Sequence, residues 1–345
     1  MNSLPTASPI HGSTTSLQNL LAKKQYDSSS AGSIIDAFMV RLQQLQCRDS
    51  HSGVTGFKRE YKELCHSIDK APGYDAALTP QTTARKAKNR YQDVVPFEKT
   101  RVKLQLVSRE TRDDYINASY IDGGYIACCA PVPAAIGDFW HMVWQCHVHV
   151  VLMLTNFVEH ERLKAVRYWN PRGYAVTYGN LQVQLLDKKT QIEGLGFIVR
   201  RFQLSHKIGL KTESRTLLHL QLTKWPDHGV LRDFRVIASM LDTVNCYRDD
   251  ASRRLKVEAK VVVHCSAGIG RSGTFIAIDI LLKQLHRVLI GRKCETEGTQ
   301  EIVPLDVSKV VYRLRSQRPG MVQTPEQYQM IYHFLAAVIS GNKPW

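Results

Sequence analysis

The run VVVHCSAGIGRSG, from Val261 to Gly273, constrains this chain more than any other segment. Three consecutive valines suit a short strand buried on both faces. The small and glycine residues after them cannot continue it and form a loop. From Thr274 to Leu289 apolar residues return at helical spacing. Strand, glycine-rich loop and helix in that order aim backbone N–H groups and the positive helix end at one point, which makes an anion site. Cys265, at the mouth of such a site, is expected to be a thiolate at neutral pH. The planar fork of Arg271 holds two oxygens at once, which lysine cannot do. A thiolate facing a bound phosphoryl group displaces its leaving group in line. Two blander readings compete. Gly268, Gly270 and Gly273 spell a dinucleotide-type G-x-G-x-x-G, but late in the chain and without a strand ending in an acidic ribose-binding residue. Cys265 as an inert buried thiol fits the residues between strand and helix poorly.

The rest of the chain has room for a large core around that loop. Of 345 residues, 43% are hydrophobic and 22% charged, near globular averages. Residues 1–32 are rich in Ser, Thr, Ala and Gly and are expected to be a disordered tail. Helical spacing of Ile34, Ile35, Phe38, Leu42 and Leu45 opens a single domain over 33–340, with 341–345 as a short C-terminal tail. Strands are expected at His147–Leu154, Leu181–Leu186, Phe197–Leu204, Leu217–Leu222 and Val261–Val263. Phe234, Ile237, Met240, Leu241 and Val244 mark one helix. Thr324-Pro325-Glu326-Gln327 reads as a cap, N1 proline and capping box opening the last. The expected class is α/β (α+β).

Charge and cysteines narrow the setting. The net charge of +15 favours acidic partners, but nothing resembles a helix-turn-helix, a zinc finger or an RNA-binding aromatic signature, so no nucleic acid is expected. Eight scattered cysteines without C-x-x-C pairs point to reduced thiols and no structural metal. No apolar run approaches a membrane span, and no signal peptide is recognisable. A soluble, cytoplasmic protein without cofactor or metal, and monomeric, is the expectation.

The motifs converge. His264-Cys265-x5-Arg271-Ser272-Gly273 resembles the signature loop of the protein tyrosine phosphatases. Trp225-Pro226-Asp227-His228-Gly229 resembles their mobile acid loop, and Lys88-Asn89-Arg90-Tyr91-x-Asp93 their phosphotyrosine recognition loop. Asp114-Tyr115-Ile116-Asn117-Ala118-Ser119-Tyr120-Ile121 and Gly137-Asp138-Phe139-Trp140-x-Met142-Val143-Trp144 resemble structural motifs. Gln323-Thr324-Pro325-Glu326-Gln327-Tyr328 resembles the glutamine loop. These stand in family order over roughly residues 55–335. The resemblance is to the phosphotyrosine-specific, non-receptor type, and it implies a twisted mixed sheet flanked by helices.

It implies the following roles. Cys265 is the nucleophile and forms a phosphocysteine. Arg271 and the loop amides of Ser266, Ala267, Gly268, Ile269 and Gly270 bind phosphoryl oxygens. Ser272 supports the sulfur as a leaving group, and His264 tunes the thiolate from behind the loop. A phenol with a pKa of about 10 leaves poorly at neutral pH, so Asp227 serves as general acid and then base, with Trp225 as hinge. Gln323 positions the attacking water and Gln327 assists. Tyr91 walls a deep pocket, Asp93 binds the peptide backbone, Glu159 orients Arg271, and Lys164 lies near the closed acid loop. The partners implied are phosphotyrosine-containing proteins or peptides. The basic stretch 85–103 is expected to favour acidic flanking residues.

The chain departs from the family pattern at Ala127-Cys128-Cys129-Ala130-Pro131, at His228 and Leu231, and at Ala165 and Asn170, which bears on loop dynamics and rate. Gly320 leaves open the gateway to a secondary phosphotyrosine pocket found in some relatives. Two alternatives are a phosphotyrosine-binding pseudophosphatase, disfavoured because Cys265, Arg271, Asp227 and Gln323 are all present, and a dual-specificity or phosphoinositide phosphatase, disfavoured by the Tyr91 motif.

Overall fold

The computed structural model describes residues 30–105, 113–189, 197–226, 229–231, 233–256, 258–290 and 305–341. The expected tails lie outside them, apart from 30–32 and 341. Helix α1 (Ser30–Gln46) begins three residues before the expected Ser33 and buries Phe38, Leu42 and Leu45. Helix α2 (Gly56–Asp69) is capped by Thr55 Oγ1, which accepts from the Lys58 amide, and buries Phe57, Leu64 and Ile68. Short helices α3 (Tyr74–Ala77) and α4 (Thr83–Ala87) lead to β1 (Arg101–Lys103), β2 (Tyr115–Ile121) and β3 (Tyr125–Cys128). Then come α5 (Ile136–Gln145), β4 (Val148–Met153), the small hairpin β5 (Val158–Glu159) and β6 (Arg162–Leu163), β7 (Val176–Tyr178), β8 (Leu181–Lys189), β9 (Phe197–Ile208) and β10 (Lys211–Leu222). The remaining elements are α6 (Arg235–Leu255), β11 (Lys260–His264), α7 (Gly270–Leu289), α8 (Val307–Gln317) and α9 (Pro325–Ile339).

Among the described residues, nine strands form one sheet in the order β1-β2-β3-β11-β4-β10-β9-β8-β7. The four central strands β3, β11, β4 and β10 run parallel, and the flanking pairs are antiparallel. Parallel strands covered on both faces read as continuous apolar runs, as Val261–Val263 and Val148–Met153 do. Val261 and Val263 pack toward α6, α7, α8 and α9, whereas Val262 packs with α5 and Tyr168 on the other face. Each valine is fully buried and contributes roughly 1.5–3 kcal/mol of apolar burial. Strand β11 therefore sits in the most protected part of the fold, and Cys265 leaves its C-terminal end.

Three of the elements that differ from the sequence reading do so for clear physical reasons. Strands β9 and β10 extend to twelve residues each because the ladder continues past the core as a solvated hairpin, where polar residues suffice. Helix α7 starts at Gly270 instead of Thr274. Glycines usually end helices, but here Gly273 lies in the first turn because a Cβ would come within 2.5 Å of the Val322 nitrogen. Close backbone approach overrides propensity.

Candidate active site

The segment between β11 and α7 wraps around the Cys265 sulfur. Three consecutive peptide groups are held by their carbonyls from outside. The Ser266 carbonyl accepts from the Ala130 amide at 2.9 Å. The Ala267 carbonyl accepts from Arg318 Nη2 at 3.1 Å and the Gly268 carbonyl from Arg318 Nε at 3.0 Å. A trans peptide points its N–H opposite its C=O, so the amides of Ala267, Gly268 and Ile269 turn inward as an anion-binding nest. The Gly268 amide donates to Cys265 Sγ at 3.3 Å. Gly268 must be glycine: its φ is +73°, and a Cβ would lie 1.9 Å from the Cys128 carbonyl oxygen.

Cys265 is buried. Burial alone raises a thiol's pKa. The Arg271 guanidinium, the Ser272 hydroxyl and the amides of Ser272 and Gly268 outweigh it and hold the thiol below its ordinary value. Ser272 Oγ is itself buried with no partner inside ordinary hydrogen-bond limits. A buried hydroxyl beside a sulfur is left without a partner unless it donates to that sulfur, and a thiolate accepts better than a thiol.

Arg271, 2% exposed in its side chain, is gripped by Glu159 through two bonds, Nη1 to Oε1 at 2.8 Å and Nη2 to Oε2 at 3.0 Å. Nη1 also donates to the Trp225 carbonyl at 2.9 Å, and Nη2 to Thr155 Oγ1 at 3.3 Å. Burial would raise the Glu159 carboxyl; bonds from Arg271, the Asn156 amide and Thr155 hold it below its usual range. Trp225 is buried and donates its indole N–H to the Gly229 carbonyl at 3.1 Å. Asp227 and His228, between them, lie outside the described residues.

The opposite wall is built from the segment 88–94. Asn89 is buried and accepts from Tyr115 Oη at 2.6 Å and Asn117 Nδ2 at 3.0 Å. Arg90 donates to the carbonyls of Ala130 and Pro131. So braced, half-buried Tyr91 donates to Ser266 Oγ at 2.9 Å, and Ser266 Oγ donates onward to the Lys164 carbonyl at 2.8 Å. Tyr91, Asp93, Lys164, Cys265, Ser266, Ala267, Gly270, Arg271, Gln323 and Gln327 line one cleft of about 340 Å³, with Val94, Arg162 and Leu163. Ile269, Ser272, His264, Trp225 and Glu159 stand behind it.

Gln327 corrects a detail of the capping box. Thr324 Oγ1 accepts from the Gln327 amide at 3.2 Å, as a cap does. Gln327 Oε1, however, reaches past Thr324 and accepts from the Gln323 amide at 3.0 Å. Both glutamine side chains close over Gly270, where a Cβ would come within 3.1 Å of them.

His264 is fully buried and touches the backbone beside the sulfur. Its Nδ1 lies 3.0 Å from the Cys265 carbonyl, which only accepts, so Nδ1 carries the proton. Nε2 then accepts from Tyr168 Oη, which accepts from His219 Nε2, both at 2.8 Å. Burial pushes the His264 pKa down to about 4, so the ring is neutral.

Four of the seven basic residues in the stretch 85–103 stand in ion pairs. Arg85 pairs with Asp113, Lys88 with Asp138, Arg101 with Glu98 and Asp114, and Lys103 with Glu98. Lys86, Lys99 and Lys103 are exposed, and a preference for acidic flanks is open to test with phosphotyrosine peptides of matched sequence. Cys128 and Cys129 are buried free thiols, both raised in pKa by burial. The sequence reading missed Arg318, which is fully buried and also reaches Asn117 and Ser119. Its Arg-Pro-Gly context reads as a turn. Thr155 was missed as well, since a threonine after a strand carries no signal.

A family model described as Protein-tyrosine phosphatase matches residues 85–337. The chain belongs to the protein-tyrosine phosphatase family. This phosphatase domain is 36% identical over 293 residues to receptor-type tyrosine-protein phosphatase eta of Gallus gallus, covering 84% of the chain and 19% of that protein. It is 40% identical over 264 residues to receptor-type tyrosine-protein phosphatase S of Gallus gallus, covering 74% and 16%. It is 38% identical over 266 residues to tyrosine-protein phosphatase Lar-like of Caenorhabditis elegans, covering 74% and 11%. The phosphatase domain thus spans about a fifth or less of these curated relatives. Among the described residues no helix is long and apolar enough to cross a membrane.

Proposed function

We propose that the chain hydrolyses phosphotyrosine in proteins or peptides through a phosphocysteine on Cys265. In the first step the sulfur bonds to phosphorus, the bond from phosphorus to the tyrosyl oxygen breaks, and Asp227 protonates that oxygen. In the second, water bonds to phosphorus, the phosphorus–sulfur bond breaks, Cys265 leaves as a thiolate and Asp227 takes the water's proton. Arg271 and the amides of Ser266 through Gly270 hold the phosphoryl oxygens as charge develops. The bond from Arg271 to Thr155 is long at 3.3 Å, and a phosphoryl oxygen can replace it. Ser272 steadies the departing sulfur, and Gln323, with Gln327, positions the water. Tyr91 stacks on the substrate ring at a depth that phosphoserine does not reach, and Asp93 accepts from the peptide backbone. Lys164 borders the closed acid loop.

The observation that carries this reading is the single point on which the loop amides, the Arg271–Glu159 pair and the Cys265 sulfur converge. Residues 33–340 are taken as one catalytic domain. A cytoplasmic setting is favoured by the seven described cysteines, all free, because a thiolate nucleophile needs reducing surroundings. The non-receptor qualifier finds no support in the receptor-type relatives, and our assignment stops at a phosphotyrosine-specific catalytic domain.

The test is phosphate release from matched phosphotyrosine and phosphoserine peptides in EDTA, by the wild type and by Cys265→Ser. Turnover of phosphotyrosine alone, lost in the variant while binding persists, is the expected result. Binding without turnover in both proteins would make the chain a pseudophosphatase. Turnover of both peptides would place it with the dual-specificity enzymes.

A further inference from the structure

The family match begins at residue 85, yet helix α2, upstream of it, reaches the glutamine loop. Tyr61 Oη donates to the Val322 carbonyl at 2.8 Å. Buried Arg315, from α8, donates Nη1 to the same carbonyl and to that of Met321, both at 3.3 Å. Val322 needs these anchors. Its φ is +59°, a left-handed conformation that a β-branched side chain rarely adopts. Such strain persists only where the surroundings over-determine it. They do so here from three sides. The Val322 amide donates to the Ile269 carbonyl at 3.1 Å, and Gly273 leaves no gap beside the Val322 nitrogen. The turn at Val322 sets the direction of the next residue, Gln323, whose side-chain oxygen is 3.0 Å from the place a Gly270 Cβ would occupy.

We infer that Tyr61 is a positioning residue for breakdown of the phosphocysteine: with Arg315 it holds Val322 in the left-handed conformation that aims Gln323 at the phosphoryl site. This rests on the proposed role of Gln323. Removing the Tyr61 hydroxyl leaves the carbonyl only the longer bond from Arg315. The turn relaxes, Gln323 shifts, and the attacking water loses its orientation. Formation of the phosphocysteine, which uses Cys265, Arg271 and Asp227, is spared.

Stopped-flow hydrolysis of p-nitrophenyl phosphate by the wild type, Tyr61→Phe and Gln323→Ala separates the two steps. Tyr61→Phe is expected to form the phosphocysteine within about 2-fold of the wild-type rate and to break it down roughly 3- to 10-fold more slowly, the scale of one lost hydrogen bond. A burst of nitrophenol then appears, and kcat and KM fall together while kcat/KM holds. Gln323→Ala is expected to show the same split, larger. If it does not, the reading of Gln323 fails and takes this inference with it. If Gln323→Ala shows the split and Tyr61→Phe breaks down phosphocysteine at the wild-type rate, or slows both steps equally, the role of Tyr61 is overturned. Arg315→Lys tests the same carbonyl should Tyr61→Phe not fold, with the same split expected and its absence decisive against us. Adding Val322→Gly to Tyr61→Phe is expected to restore most of the breakdown rate, because glycine holds a left-handed conformation without props; no recovery overturns the conformational link.

Discussion

Arg271 and Glu159 meet edge to edge inside the domain, two nitrogens against two oxygens at 2.8 and 3.0 Å. Such a fork-to-fork pair fixes a plane as well as a distance. The plane matters because the same guanidinium faces the cleft that holds Cys265.

Glu159→Gln tests the plane. The amide keeps the shape but loses the charge and one acceptor, so Arg271 loses one of the two parallel bonds that fix its plane. Activity on a phosphotyrosine peptide, as kcat/KM, is expected to fall by about 10- to 100-fold, the usual effect of a misplaced catalytic group. Thermal melting monitored alongside separates this from unfolding. A change under about 2-fold would remove Glu159 from the orienting role.

The depressed pKa of Cys265 is open to direct titration. The alkylation rate by iodoacetamide should rise with pH along a curve centred below the ordinary thiol value of about 8.5. Ser272→Ala removes one of the groups that hold the thiolate, so its curve should shift to higher pH. The sign for stability follows. A folded-state pKa below the unfolded one means the unfolded chain binds more protons between the two values. The thiolate's contribution is therefore fully present above the unfolded pKa and is lost as pH falls through the folded one. Coincident alkylation curves for the two proteins would exclude Ser272 from this part.

Gly268→Ala should disable the loop. The substitution meets both a left-handed φ and a Cβ contact of 1.9 Å with the Cys128 carbonyl. The backbone must move, and with it the amides on either side. Phosphate release is expected to fall more than about 100-fold, with a lowered melting temperature. Activity near wild type would mean the strand beside the loop yields far more than its buried, paired position allows.

How much of this was legible in the sequence depended on range. The strand, loop and helix around Cys265 are contiguous, and their periodicity and glycines announced them. The cap on α9 was equally local, down to Thr324 and Pro325. Arg318 was invisible because its partners, the carbonyls of Ala267 and Gly268, lie fifty residues upstream and offer no side-chain signal. Val322 read as ordinary apolar chain, since nothing in a valine codes for a positive φ; three distant partners impose it. The pairing within the basic stretch 85–103 was hidden because three of its acids, Asp113, Asp114 and Asp138, lie outside it. Composition counts charges but does not pair them.

Arg318 touches the loop only through main-chain oxygens, and the nest faces its anion only through main-chain nitrogens. Both sides of the contact are therefore blind to which side chains occupy Ala267 and Ile269. What they do read is the count of peptide units between Cys265 and Arg271. One residue more or fewer would present a carbonyl where an amide belongs and turn an attractive cradle into a repulsive one. At Ala267 and Ile269 the loop's spelling is loose, whereas its length is strict, so a single-residue deletion there should be more damaging than substituting both of those residues at once.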